Sequence, residues 1–225
     1  MVFMAMDVYC KYKGAEGLGE SEGGAGRGRA VESFGLQGES VKNKRKGPRR
    51  ARVASSELLF QGRVFALKRE RVIEPGGITT TREIIVHPGS VVVLPVFPDG
   101  RLLLIRQYRH AAGQYLWELV AGHKEPNETF AEGAHRELLE EAGYTARRVR
   151  KLLEVFPSPG LLGEKMEIFL AEGLKKGTAL PEDDEKISNR ILTLKDALRW
   201  IRTGKLRDSK SVSGILYYAA FVARK

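Results

Sequence analysis

From residue 57 onward the chain divides into short hydrophobic runs separated by turn residues. Residues 59–75, "LFQGRVFALKRERVIEP", alternate in part between apolar and polar positions and end in the turn Pro75-Gly76-Gly77. The β-rich stretch "ITTTREIIVHPG" follows, and the two predict an antiparallel pair of strands. "SVVVLPVF" and "RLLLIRQYR" flank Pro98-Asp99-Gly100, which predicts a hairpin between two buried strands. The period then changes. Residues 129–142 place Phe130, Ala134, Leu138 and Leu139 at helical spacing, with Thr129 and Glu132 as a capping box and Gly143 as a left-handed C-terminal stop. Strands are expected at "RKLLEVF" and "MEIFLAEGL", and helices at "TLKDALRWIRTG" and "SKSVSGILYYAAFVAR". Strands and helices mix without regular βαβ alternation, so an α+β fold, an α/β/α sandwich, is expected. It is preceded by a small antiparallel β domain over residues 56–90, with the main domain at 91–225.

Residues 1–55 show no sustained period. They are rich in Gly, Ser, Lys and Arg, with 11 Lys and Arg against 6 Asp and Glu, and they predict a disordered basic extension. The whole chain carries a net charge of +10, a field that attracts phosphate ligands and nucleic acid. The basic run at 42–52 is able to touch RNA or DNA, but a solvated tail is the simpler reading. No apolar run approaches the roughly 18–20 residues needed to span a bilayer, so a cytoplasmic protein with no membrane partner is expected. The single Cys10 excludes an internal disulfide and a cysteine-built metal site. Asn and Gln total only seven among many Lys, Arg and Glu, a thermophile-like balance.

The predicted helix is the exception in this basic chain. Glu128, Glu132, Glu137, Glu140 and Glu141 lie on or beside it, although like charges at helical spacing repel. Glu137 and Glu141 are four residues apart and stack on one face, with Glu140 beside them and Arg136 one turn before Glu140. A hard divalent cation among these oxygens would remove the repulsion, and this is the reading that explains the cluster best.

The spacing is also particular. Gly122, Glu128, Arg136-Glu137-Leu138, Glu140-Glu141 and Gly143-Tyr144 stand at every fixed offset of the Nudix box, so the chain resembles the Nudix hydrolases. The resemblance implies one to three Mg²⁺ or Mn²⁺ ions held on a loop–helix–loop, and hydrolysis of a nucleoside diphosphate linked to another group. It implies Glu137 and Glu141 as principal metal ligands, Glu140 as an accessory, Arg136 as the orienting partner, and Gly122 as a tight turn that places the Ala121 carbonyl near a metal.

Outside the box, "RQYRHAAGQYLWELVAG" and Pro159, sixteen residues beyond Gly143, resemble the ADP-ribose pyrophosphatase branch. That branch implies Arg109, Pro159 and Gly160 at the substrate, and a two-fold dimer in which Arg82 and Glu83 of the partner subunit reach the adenine. It also implies an acidic loop that supplies the base. Asp183 is the candidate, with Glu182 as the alternative, Glu164 in reserve and Glu185 as an extra metal ligand. Phe60 is read as a core aromatic before a base-stacking one, and the four histidines receive no chemistry. The expected activity is hydrolysis of ADP-ribose to AMP and ribose 5-phosphate. GDP-mannose or another nucleotide sugar remains an alternative substrate, and RNA binding through the basic tail an alternative function.

Overall fold

The computed structural model describes residues 50–178 and 187–223. Among these residues ten strands form three sheets, accompanied by three α-helices. In the first sheet, β1 (Arg52–Gln61), β2 (Ala66–Ile73) and β3 (Thr79–Val86) make an antiparallel meander. It starts at Arg52, inside the stretch expected to be tail. The mostly polar sequence "RVASSE" hides this strand, because all ten residues of β1 are exposed and leave no hydrophobic period to read.

The second sheet sets β5 (Leu102–Arg109) between β10 (Ser188–Leu192) and β6 (Gln114–Glu118). The third runs β7 (Val120–His123), β4 (Ser90–Pro95), β9 (Met166–Lys176), β8 (Tyr144–Val155), with β4 and β9 parallel. The expected hairpin between β4 and β5 forms only at its tip. The turn is there, with Gly100 N–H donating to Phe97 O at 2.9 Å and Gly100 at φ 79°. Yet the two strands share only the bridge Val96–Leu102 and then diverge into different sheets. Both edges of β4 are already taken, by β7 and β9.

Every residue of β4 is buried, and alternate side chains serve opposite layers. Val91 and Val93 meet Ala134 and Leu138 of helix α1 (Phe130–Ala142). Val92 and Leu94 join Trp200 of α2 (Leu194–Arg202) and Ile215 of α3 (Ser209–Phe221) on the other face. Helices on both faces of a mixed sheet give the expected α/β/α sandwich. The uninterrupted run "SVVVLP" is what a strand buried on both faces requires. No helix among the described residues is long and apolar enough to cross a membrane.

Candidate active site

Helix α1 carries the acidic cluster, and both of its ends are fixed by local chemistry. Thr129 Oγ1 accepts from Glu132 N at 3.2 Å, while Glu132 Oε2 accepts from Thr129 N at 2.7 Å. Gly143, at φ 71°, ends the helix with its N–H on Leu139 O, a conformation other residues adopt only with strain. Between these caps Leu138 packs into the core, while Glu137 and Glu141 are buried on the side toward β7.

Arg136 organises the cluster. It donates to Glu137 Oε1 at 2.7 Å, Glu140 Oε2 at 2.9 Å, Glu128 Oε1 at 2.8 Å and the His123 carbonyl at 3.0 Å. The hydrogen bonds to Glu128 and then Glu137 hold the guanidinium firmly charged against the effect of burial. In return Arg136 holds the Glu128 carboxyl below the ordinary carboxylate range. Glu141 is anchored separately, accepting from Ala121 N at 2.9 Å.

Gly122 does not make the expected turn. It lies inside β7, paired with Val91, and its use is close approach. A Cβ there would stand 1.8 Å from Glu137 Oε1. The missing side chain is the space that the Glu137 carboxylate fills.

These groups line one side of a cleft of about 540 Å³, together with Ala121 and Glu140. Glu164 lines it too, buried, accepting from Ser90 Oγ and lying 3.8 Å from His87 Nδ1. Arg109 and Lys210 line the cleft as well, and Glu118 holds both of them. Burial pushes the Glu118 carboxyl up, but Arg109 and Lys210 outweigh it and hold it below the ordinary range. Arg63, from the turn between β1 and β2, reaches the same cleft.

The fold thus brings together Ala121, Arg136, Glu137, Glu140, Glu141, Arg109 and Glu164. Arg82 and Glu83 are elsewhere, on the exposed β3, where they pair with Glu74 and Arg69. Pro159 and Gly160 are exposed in the loop before β9 and do not line the cleft. Glu182, Asp183 and Glu185 lie outside the described residues. Phe60 is not core: it is exposed, 5.8 Å from Phe65. Sequence reasoning missed Lys210, Arg63 and Ser90. Nothing local marks them, since their neighbours in the cleft are remote in sequence. His87 and His123, whose spacing in sequence suggests no chemistry, pack their rings 5.1 Å apart, with His87 beside Glu164.

The Glu137, Glu140 and Glu141 carboxylates that line the cleft are hard oxygen donors, the kind that suits a hard divalent cation. Among the described residues no three acidic, His or Cys side chains converge as a ready-made metal cage. Arg136 and the Ala121 N–H engage the carboxylates instead.

The NUDIX domain family model matches residues 86–212. The chain is 36% identical over 165 residues to an ADP-ribose pyrophosphatase of Bacillus subtilis (strain 168), covering 72% of this chain and 89% of that protein. It is 35% identical over 164 residues to a methanol dehydrogenase activator of Bacillus methanolicus, with coverage of 72% and 89%. A solved ADP compounds hydrolase superposes with a TM-score of 0.68 at 22% identity, over 77% of this chain and 95% of that one, a likeness of fold. The matched segment contains the whole glutamate-bearing loop and helix together with the cleft residues Arg109 and Lys210, and the chain belongs to the Nudix family as a Nudix hydrolase.

Proposed function

We propose that this hydrolase cleaves the pyrophosphate bond of ADP-ribose, giving AMP and ribose 5-phosphate, with Mg²⁺ or Mn²⁺ as its cofactor. The observation that carries the reading is the pairing, in one cleft, of the glutamates of α1 with the cation Arg109, which Lys210 backs through Glu118. A relative covered over 89% of its length acts on ADP-ribose by name. Anionic and cationic groups together suit a substrate whose phosphates must be bound by positive charge while water attacks one phosphorus of the anhydride and the other phosphate leaves.

Glu137, Glu141 and Glu140, with the Ala121 carbonyl, are the groups that would hold the cation. When bound, such an ion neutralises phosphate charge and makes a water more acidic. The chain's own residues do the rest. Arg136 keeps three glutamates oriented. Arg109 binds a phosphate by charge-assisted hydrogen bonds. Asp183, or else Glu182 or Glu164, takes the proton of the attacking water, and Glu185 adds a metal ligand.

We infer further that the chain works as a homodimer through β1–β3. Leu58, Phe60, Phe65 and Val53 are exposed on or beside this sheet, between 41% and 57%, and β1 is an edge strand. Natural proteins rarely leave such an edge uncovered. Arg82 and Glu83, remote from the cleft of their own chain, suit delivery to the cleft of the partner.

The deciding experiment is a panel of ADP-ribose, GDP-mannose, NADH, dinucleoside polyphosphates and capped RNA, assayed with and without Mg²⁺. ADP-ribose should give the highest kcat/KM, and chelation should abolish turnover. Glu141→Gln should lower kcat by about 100-fold or more, the scale on which a lost electrostatic group acts. A different preferred substrate, or wild-type turnover in metal-saturated Glu141→Gln, would refute the corresponding assignment.

A further inference from the structure

One wall of the cleft contains a buried charge network built around Arg109. Glu118, at the end of β6, is 1% exposed. Its Oε1 accepts from Arg109 Nε at 2.9 Å. Its Oε2 accepts from Arg109 Nη2 at 2.7 Å and from Lys210 Nζ at 2.5 Å. Lys210 stands in the first turn of α3, is itself buried, and pairs with Asp208 at 3.0 Å. Asp208 caps α3 by accepting from Ser211 N, and Ser211 Oγ accepts from Leu119 N, next to Glu118. The ends of two strands and the start of a helix are therefore joined through one carboxylate.

The geometry constrains Arg109 in a specific way. The fork on Glu118 consumes Nε–H and one Nη2 hydrogen. It leaves Nη1 and the other Nη2 hydrogen on a single edge, which matches two oxygens of a phosphate. Arg109 lines the cleft and keeps 38% of its side chain exposed. An arginine held by one mobile carboxylate would carry that carboxylate with it. Lys210 prevents this by holding Glu118 Oε2 from the helix side. Locking a rotamer-rich side chain before the ligand arrives removes much of the entropy lost on binding.

We propose that Glu118 and Lys210 are positioning residues, which together lock Arg109 with its outer edge offered to a phosphate of a nucleoside diphosphate substrate and fasten that lock to α3. The inference rests on the reading that the cleft takes such a substrate. It adds α3, far along the chain from the glutamate helix, to the machinery that sets affinity.

The test is a double-mutant cycle on the full chain, read by calorimetric binding of inorganic pyrophosphate without divalent cation, and separately by kinetics on ADP-ribose. Lys210→Met and Glu118→Gln should each weaken pyrophosphate binding about tenfold or more, the value of one charge-assisted hydrogen bond. Each should raise KM by a similar factor, with a smaller change in kcat. Lys210→Arg should restore most of the loss. In an Arg109→Ala background, adding Lys210→Met should change binding by less than about twofold, because the group it positions is gone. Undiminished binding in Lys210→Met, or an effect that persists in full without Arg109, overturns the proposal. Should Lys210→Met fail to fold, Glu118→Gln, which keeps shape and volume, takes its place in the cycle with the same expected and overturning results. Should the wild type ignore ADP-ribose yet bind pyrophosphate, the substrate reading falls while the cycle still decides the positioning role.

Discussion

A methyl group at position 122 would stand 1.8 Å from Glu137 Oε1 and 2.1 Å from its Cδ. The backbone of β7 is fixed by its pairing with β4, so the side chain has to yield. Gly122→Ala is therefore expected to displace the Glu137 carboxylate and lower kcat by about 100-fold or more, with a modest loss of stability. Comparing kcat with the thermal midpoint separates this from general unfolding, and wild-type kcat in a folded variant would show that Glu137 has room to move. The identity of the base is also a matter of single residues. Alanine at 164, 182, 183 and 185 in turn should lower kcat strongly, with little change in KM, at the one position that takes the proton. Near-normal kcat in all four would mean that the cation and the box carboxylates activate the water unaided.

At the scale of elements, Arg136 ties helix α1 to the loop before it. Glu128 accepts from Arg136 Nε at 3.1 Å and Nη2 at 2.8 Å, and from Glu125 N at 2.8 Å. Arg136 thereby holds the Glu128 carboxyl below its ordinary range, with the Glu125 backbone adding to the effect. The folded-state pKa lies under the unfolded one. The stabilisation is therefore fully present above the ordinary carboxylate value, about 4.3, and is lost as pH falls through the depressed folded value. Glu118 and Glu167 are held low in the same direction, in both cases by cations that outweigh burial. Thermal midpoints should thus drop on acidification below about pH 4, and Glu128→Gln should flatten part of that limb. An acid limb identical in wild type and variant would remove Glu128 from the account.

For the whole molecule, the three-stranded sheet is the part least able to stand alone. A three-stranded sheet needs its hydrophobic face covered to be stable, and this one leaves Phe60 and Leu58 more than half exposed. A dimer mass in solution is expected at micromolar concentration, and Phe60→Glu or Leu58→Glu should shift it toward monomer and reduce activity together. A fully active monomer would exclude both the dimer and any contribution of Arg82 and Glu83 across it.

What the sequence determined by itself is local in its physics. Helix α1, its capping box, its glycine stop and the stacked Glu137 and Glu141 follow from neighbours within a few residues, where spacing dictates geometry. The run "SVVVLP" likewise declares a strand buried on both faces. Tertiary structure decided whatever depends on partners distant along the chain. It separated β4 from β5, because β7 and β9 had filled the edges of β4. It made Gly122 a site of close approach and not a turn, because Glu137 arrives from another element. It joined Lys210 to Glu118 across 92 positions, and no pattern in sequence records a contact that only packing creates.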